Sequence, residues 1–157
     1  MNPDKFVDDF CKRLDQLKTH DFIAKQQSLF VNHVKENLLL GEFLISCDFA
    51  ENYAFVVQNS TQSFHWNNNQ ATIFTVVIYY KMDNEVKHKS LAIISDNFTH
   101  DTAAVYSYQK IIIDYLKSNY TLTKVFYLTD GAGQQFKNKS MFANLLAHEK
   151  DFGIFYF

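Results

Sequence analysis

Two apolar runs in this chain each end in an aspartate: Phe43-Leu44-Ile45-Ser46-Cys47-Asp48 and Lys124-Val125-Phe126-Tyr127-Leu128-Thr129-Asp130. Short runs of this kind, rich in β-branched and aromatic residues, read as strands buried in a sheet. An aspartate at the end of a buried strand serves little structural purpose, because desolvating a carboxylate is costly unless a cation or hydrogen-bond donors compensate it. Two such positions in one small α/β chain point to a metal site.

The remaining patterns build a frame around these runs. Phe6, Phe10, Leu14 and Leu17 recur at helical spacing after Pro3, and Phe22, Ile23, Leu29, Phe30, Val34 and Leu38 form a second stripe. A break near Thr19-His20-Asp21, where Thr19 or Asp21 can cap, makes residues 1–40 a helical N-terminal extension of two helices. After Gly41 the pattern changes to strands over 42–57, 72–82 and 88–95, and Met82-Asp83-Asn84-Glu85 is a turn signal that makes the last two an antiparallel hairpin. A helix follows over 100–118, then a strand over 124–129 and a helix over 139–150. Ile154-Phe155-Tyr156-Phe157 begins one more strand. The order β-β-β-α-β-α, with a fifth strand only begun, defines one α/β domain over 41–157.

Composition narrows the function classes. With 157 residues, 47% of them apolar, there is enough chain for one domain with a real core. A formal net charge of −2 counts against general polyanion binding, which needs clustered Lys and Arg. Cys11 and Cys47 fall in a helix and a buried strand, which suits two reduced, core-facing thiols and an intracellular setting. No run approaches the ~18 apolar residues of a spanning helix, so no membrane partner is expected.

Three meandering strands followed by a crossover helix allow the first and fourth strands to lie side by side and parallel. Asp48 and Asp130 then meet at one end of the sheet. Carboxylates ~4 Å apart repel by several kcal/mol at a moderate effective dielectric, and a shared divalent cation relieves that repulsion while gaining hard oxygen ligands. Such a pair suits two-metal phosphoryl transfer.

At this point the motifs resemble a known group. Cys47-Asp48-Phe49-Ala50-Glu51-Asn52-Tyr53, the segment from Phe64 to Thr72, Ser95-Asp96 with His100-Asp101, and Thr129 to Asn138 are similar to transposon-derived animal proteins with a ribonuclease H-like, DDE-type integrase core. The resemblance covers roughly 20–153. It implies a ribonuclease H-like mixed sheet, with Asp48 and Asp130 as catalytic ligands of Mg²⁺ or Mn²⁺ that cut and join DNA, and a nuclear location. Such enzymes also carry a third carboxylate after the fifth strand. No residue of this sequence matches it, so the resemblance implies a C-terminally truncated core of impaired activity, dependent on missing parts for DNA contact. A homo-oligomer stays open, as does the alternative of a non-catalytic nucleic-acid- or protein-binding remnant.

Other residues admit two readings. Trp66, beside His65, can stack on bases or close the core. Lys137 and Lys139 can meet a phosphate or be solvated loop lysines. Asp96 and Asp101 read as loop and helix-capping acids, and Glu51 and Asn52 as loop or edge residues that can also touch metal or substrate. Gly133 to Ser140 approaches a Walker A loop except that Asn138 stands at the second glycine, and too little chain follows for a Mg²⁺-binding strand. No His and Cys spacing suits zinc.

Overall fold

The computed structural model describes residues 3–55 and 70–156. Two compact units divide between Asn37 and Leu38.

The first unit is one helix, α1 (Pro3–Glu36), rather than the expected pair. The reason lies in residues 19–21. No glycine or proline interrupts 4–40, and the polar side chains satisfy themselves along the helix. The Thr19 hydroxyl donates back to the Asp15 carbonyl at 3.4 Å. Lys18 reaches Asp15 at 3.1 Å and Lys25 reaches Asp21 at 2.7 Å, the i,i+3 and i,i+4 spacings that hold a helix together. Asp21 therefore braces the helix interior instead of capping a new start. Cys11 is exposed on this helix, which corrects the expectation of a core-facing thiol; Cys47 is buried.

The second unit is mixed α/β. Its strands are β1 (Glu42–Phe49), β2 (Tyr53–Ala54), β3 (Gln70–Met82), β4 (Glu85–Ser95), β5 (Lys124–Leu128) and β6 (Phe155–Tyr156). Its helices are α2 (Thr102–Asn119), between β4 and β5, and α3 (Lys139–Phe152), between β5 and β6. The sheet runs β4-β3-β1-β5-β6, with β2 added to the start of β3. β1 pairs antiparallel with β3 from Phe43↔Tyr80 to Phe49↔Phe74. It pairs parallel with β5, the side-by-side placement expected of the first and fourth strands, from Glu42↔Lys124 to Ser46↔Leu128. β3 and β4 form the expected hairpin, closing at Met82↔Glu85, and β6 lies parallel to β5.

Alternation along the strands separates the two faces of the sheet. Phe43, Ile45 and Cys47 of β1, Phe74, Val76 and Ile78 of β3, and Val125 of β5 are buried in one core. Val105, Tyr108, Ile112, Ile113 and Leu116 of α2 and Met141 and Phe152 of α3 complete it. The helices start where side chains cap them. Asp101 accepts from the Ala104 amide at 2.9 Å and Asn138 from the Met141 amide at 2.9 Å, and α3 stops at Gly153 in the left-handed conformation, φ 66°.

The strand expected over 42–57 is interrupted. Opposite β3 the register moves by one residue between Phe49↔Phe74 and Tyr53↔Ala71, so the chain over 50–52 is a bulge that turns side chains out of the alternation. Gly41 marks the other end of β1. Its φ is 87°, and a Cβ there would lie 2.9 Å from Thr123 Oγ1 and 3.1 Å from the Thr121 carbonyl. The close approach lets Thr123 N donate to the Gly41 carbonyl at 2.9 Å, which sets the β1 and β5 starts level. No helix among the described residues is long and apolar enough to cross a membrane.

Candidate metal centre

Asp48 lies near the end of β1 and Asp130 two residues beyond β5. The last parallel pair is Ser46↔Leu128. Two further residues along each chain reach Asp48 and Asp130, so both follow the last parallel pair at the carboxyl end of these neighbouring strands. Along β1, Cys47 enters the core and Asp48 therefore takes the opposite face.

Both aspartates are exposed. This corrects the argument from desolvation: alternation turns Asp48 away from the core, and Asp130 sits past the last ladder pair in the loop that follows. Water bears the cost of both charges and weakens their mutual repulsion. Asp130 has a structural task as well, since its Oδ1 accepts from the Ala132 amide at 2.9 Å and shapes the turn after β5. The Asp48 carbonyl, not its side chain, accepts from the Thr75 hydroxyl at 3.1 Å. Among the described residues no group of three or more His, Cys, Asp or Glu side chains could hold a metal ion. An ion at this end of the sheet would draw on the two aspartate carboxylates. Beside them, burial and then the Asp48 charge push the Cys47 thiol up to about 12.

The other expected residues spread more widely. Trp66 and the segment around it lie outside the described residues. Lys137 and Lys139 are exposed in the loop before α3 and at its first position. Lys139 lines an open groove of about 920 Å³ between the N-termini of α2 and α3, with Asn52, His100 and Asp101 also in its wall. Asp101 caps α2, as its position suggested. Asn138 is extended, φ −141°, and caps α3; an N-cap in that conformation cannot wrap a phosphate as a Walker glycine does.

Two polar clusters were not singled out from sequence. In the first, the buried Thr72 hydroxyl lies 2.7 Å from the Asn97 carbonyl and 2.9 Å from Asn52 Oδ1, and His100 Nε2 lies 2.9 Å from the same Asn52 oxygen. The His100 ring stacks on Phe49, with centroids 4.3 Å apart. This cluster ties the bulge after β1 to the loop between β4 and α2, and so fixes the chain beside Asp48. In the second, the buried His148 ring sits between the Tyr127 hydroxyl, 3.0 Å from Nε2, and the Ile154 carbonyl, 3.2 Å from Nδ1. A neutral ring with its proton on Nδ1 satisfies both neighbours. The signal for the first was present as Asn52 and His100 within the motifs, but the bulge that joins them has no signature in composition.

Residues 27–156 match the model of a family described as a domain of unknown function, DUF8701, a span that takes in the last part of α1 and all the strands. Neither the curated proteins nor the solved structures give a match.

Proposed function

The chain belongs to the DUF8701 family, and we propose for this member a ribonuclease H-like, DDE-type integrase-related domain whose ancestral chemistry is metal-assisted cleavage and joining of DNA phosphodiesters. One observation supports the reading: β1 and β5 pair in parallel from Glu42↔Lys124 to Ser46↔Leu128, and Asp48 and Asp130 each follow two residues after that last pair. The strand order β4-β3-β1-β5-β6, three antiparallel strands followed by two parallel additions, supports it. Asp48 and Asp130 would hold Mg²⁺ or Mn²⁺, and the ion would polarise a phosphodiester and activate water or a 3′-hydroxyl. Lys137 and Lys139 would meet the DNA backbone, and a role on DNA implies a nuclear compartment.

Two exposed carboxylates, with no group of three or more His, Cys, Asp or Glu side chains able to hold an ion among the described residues, would bind a divalent ion weakly, because hard cations take six or more oxygens. Weak binding disorients the attacking water, so strand cleavage is slow or lost and DNA binding outlasts catalysis. The same exposure favours a second reading, a non-catalytic binding module of this ancestry.

Titration with Mn²⁺, following thermal unfolding, separates these. A site half-saturated near 1 mM gives roughly 1.4 kcal/mol at 10 mM ion, or a rise of about 3–6 °C in Tm. Asp48→Asn and Asp130→Asn each abolish the rise; in the second variant the side-chain amide oxygen can still accept from the Ala132 amide, so the turn survives. A rise identical in all three proteins, or no rise in any, rejects the metal site. Nicking of supercoiled plasmid by the wild type alone would then distinguish the catalytic reading from the binding one.

A further inference from the structure

We propose that the cavity beside the end of β5, on the helical side of the sheet, is a binding site for a small aromatic acid. It has a volume of about 290 Å³, and its walls include Gln109 of α2, Tyr127 of β5, Phe136 and Lys137 of the following loop, and Met141 and Phe142 of α3. Thr129 and Gly131 also line it, so it opens at the carboxyl end of a parallel strand. That is where α/β sheets take ligands.

Gln109 is the feature that packing does not explain. It is 2% exposed, and its Nε2 has no hydrogen-bond partner among the described residues. A buried amide donor without an acceptor is costly, and an apolar residue of the same shape would avoid the cost. An acceptor delivered by a ligand in the cavity removes it. The rest of the wall sets the ligand's shape and charge. Phe136 and Met141 are buried and apolar, and with Tyr127 and Phe142 they suit a flat ring. Lys137 is exposed, and none of the ion pairs among the described residues uses it. A ring carrying a carbonyl toward Gln109 and a carboxylate toward Lys137 satisfies each wall. The cavity lies on the face of the sheet that Cys47 enters, away from Asp48, and the proposal does not depend on the metal reading.

The probe is 4-acetylbenzoate, titrated into the full chain and followed by the side-chain amide resonances of ¹⁵N-labelled protein. Saturable binding is expected, with the Gln109 amide among the shifted signals. Gln109→Met keeps the shape but removes the donor: it should melt no lower than wild type without ligand and lose about tenfold or more in affinity. Lys137→Ala, a change at an exposed site, should weaken 4-acetylbenzoate while leaving neutral acetophenone unchanged. Absence of saturable binding to the wild type up to millimolar probe means a water-filled cavity only and overturns the proposal. Equal affinity in Gln109→Met does the same. Should that variant fail to fold, an unchanged affinity for 4-acetylbenzoate in Lys137→Ala overturns it alone.

Discussion

His148 is held neutral by its surroundings. Burial lowers its pKa, and the Ile154 carbonyl opposes that shift without reversing it. In the unfolded chain the ring titrates near 6.5. Below that value the unfolded state takes up a proton that the folded state resists, so stability is full above pH 6.5 and falls as the pH drops toward the lower folded pKa. Protonation also costs the ring its acceptor at Nε2, leaving the Tyr127 hydroxyl to find another; burial already holds that hydroxyl above its usual range. Urea unfolding at pH 7.5 and pH 5.0 should show a loss of stability at the lower pH that is smaller in His148→Gln, which has no charge to gain. An equal loss in both proteins would place the acid sensitivity elsewhere. The same residue shows where sequence reading stops. A histidine within a helical pattern carries no sign of whether it is buried, and the partners here come from β5 and from the segment after α3, linked only by the folded sheet.

Elements were more legible where local chemistry decided them. The β3–β4 hairpin was readable from Met82-Asp83-Asn84-Glu85 because its two central residues are of the types that tolerate left-handed backbone; Asp83 and Asn84 have φ of 55° and 63°. Positive φ at both positions is the turn that follows the twist of paired strands and prefers glycine second. Asn84→Gly should therefore stabilise the unit by about 0.5 kcal/mol, since glycine adopts φ 63° without the steric cost that asparagine bears. A matched pair of thermal melts checks this, and a lower Tm for the glycine protein would show that Asn84 has a contact in the hairpin worth more than the backbone relief. By contrast, α1 was read as two helices because Thr19 and Asp21 are good caps. Capping preference yielded to continuity: with no helix breaker nearby, each polar side chain bonds within the turn before or after it. The bulge after β1 was invisible for a related reason. Ala50-Glu51-Asn52 is ordinary strand-edge composition, and the one-residue slip shows only against β3.

At the scale of the molecule, the apolar runs marked the strands and the crossover helix made the first and fourth of them parallel neighbours, while alternation explains why the two aspartates are exposed rather than desolvated. Period-two alternation that buries Cys47 must turn Asp48 outward; that the two acids follow neighbouring strands of one sheet was legible, their exposure was not. The whole-chain charge bears on what such an open pair can meet. Fifteen Lys and Arg against 17 Asp and Glu leave a net −2, so long-range attraction to a polyanion is weak, and under the proposed function affinity for DNA would rest on local cations such as Lys137 and Lys139. Each phosphate contact steepens the salt dependence by about 0.9 in the logarithmic slope, so two contacts give a slope near −2 where a basic DNA-binding domain gives several times that. Fluorescence anisotropy with a labelled duplex should show dissociation constants no tighter than about 100 μM at 150 mM salt, the weak end of nonspecific binding. The double variant Lys137→Ala with Lys139→Ala should flatten the residual slope at lower salt. Binding that is tight, steeply salt-dependent and indifferent to these two lysines would locate the DNA surface elsewhere on the chain and remove the loop before α3 from it.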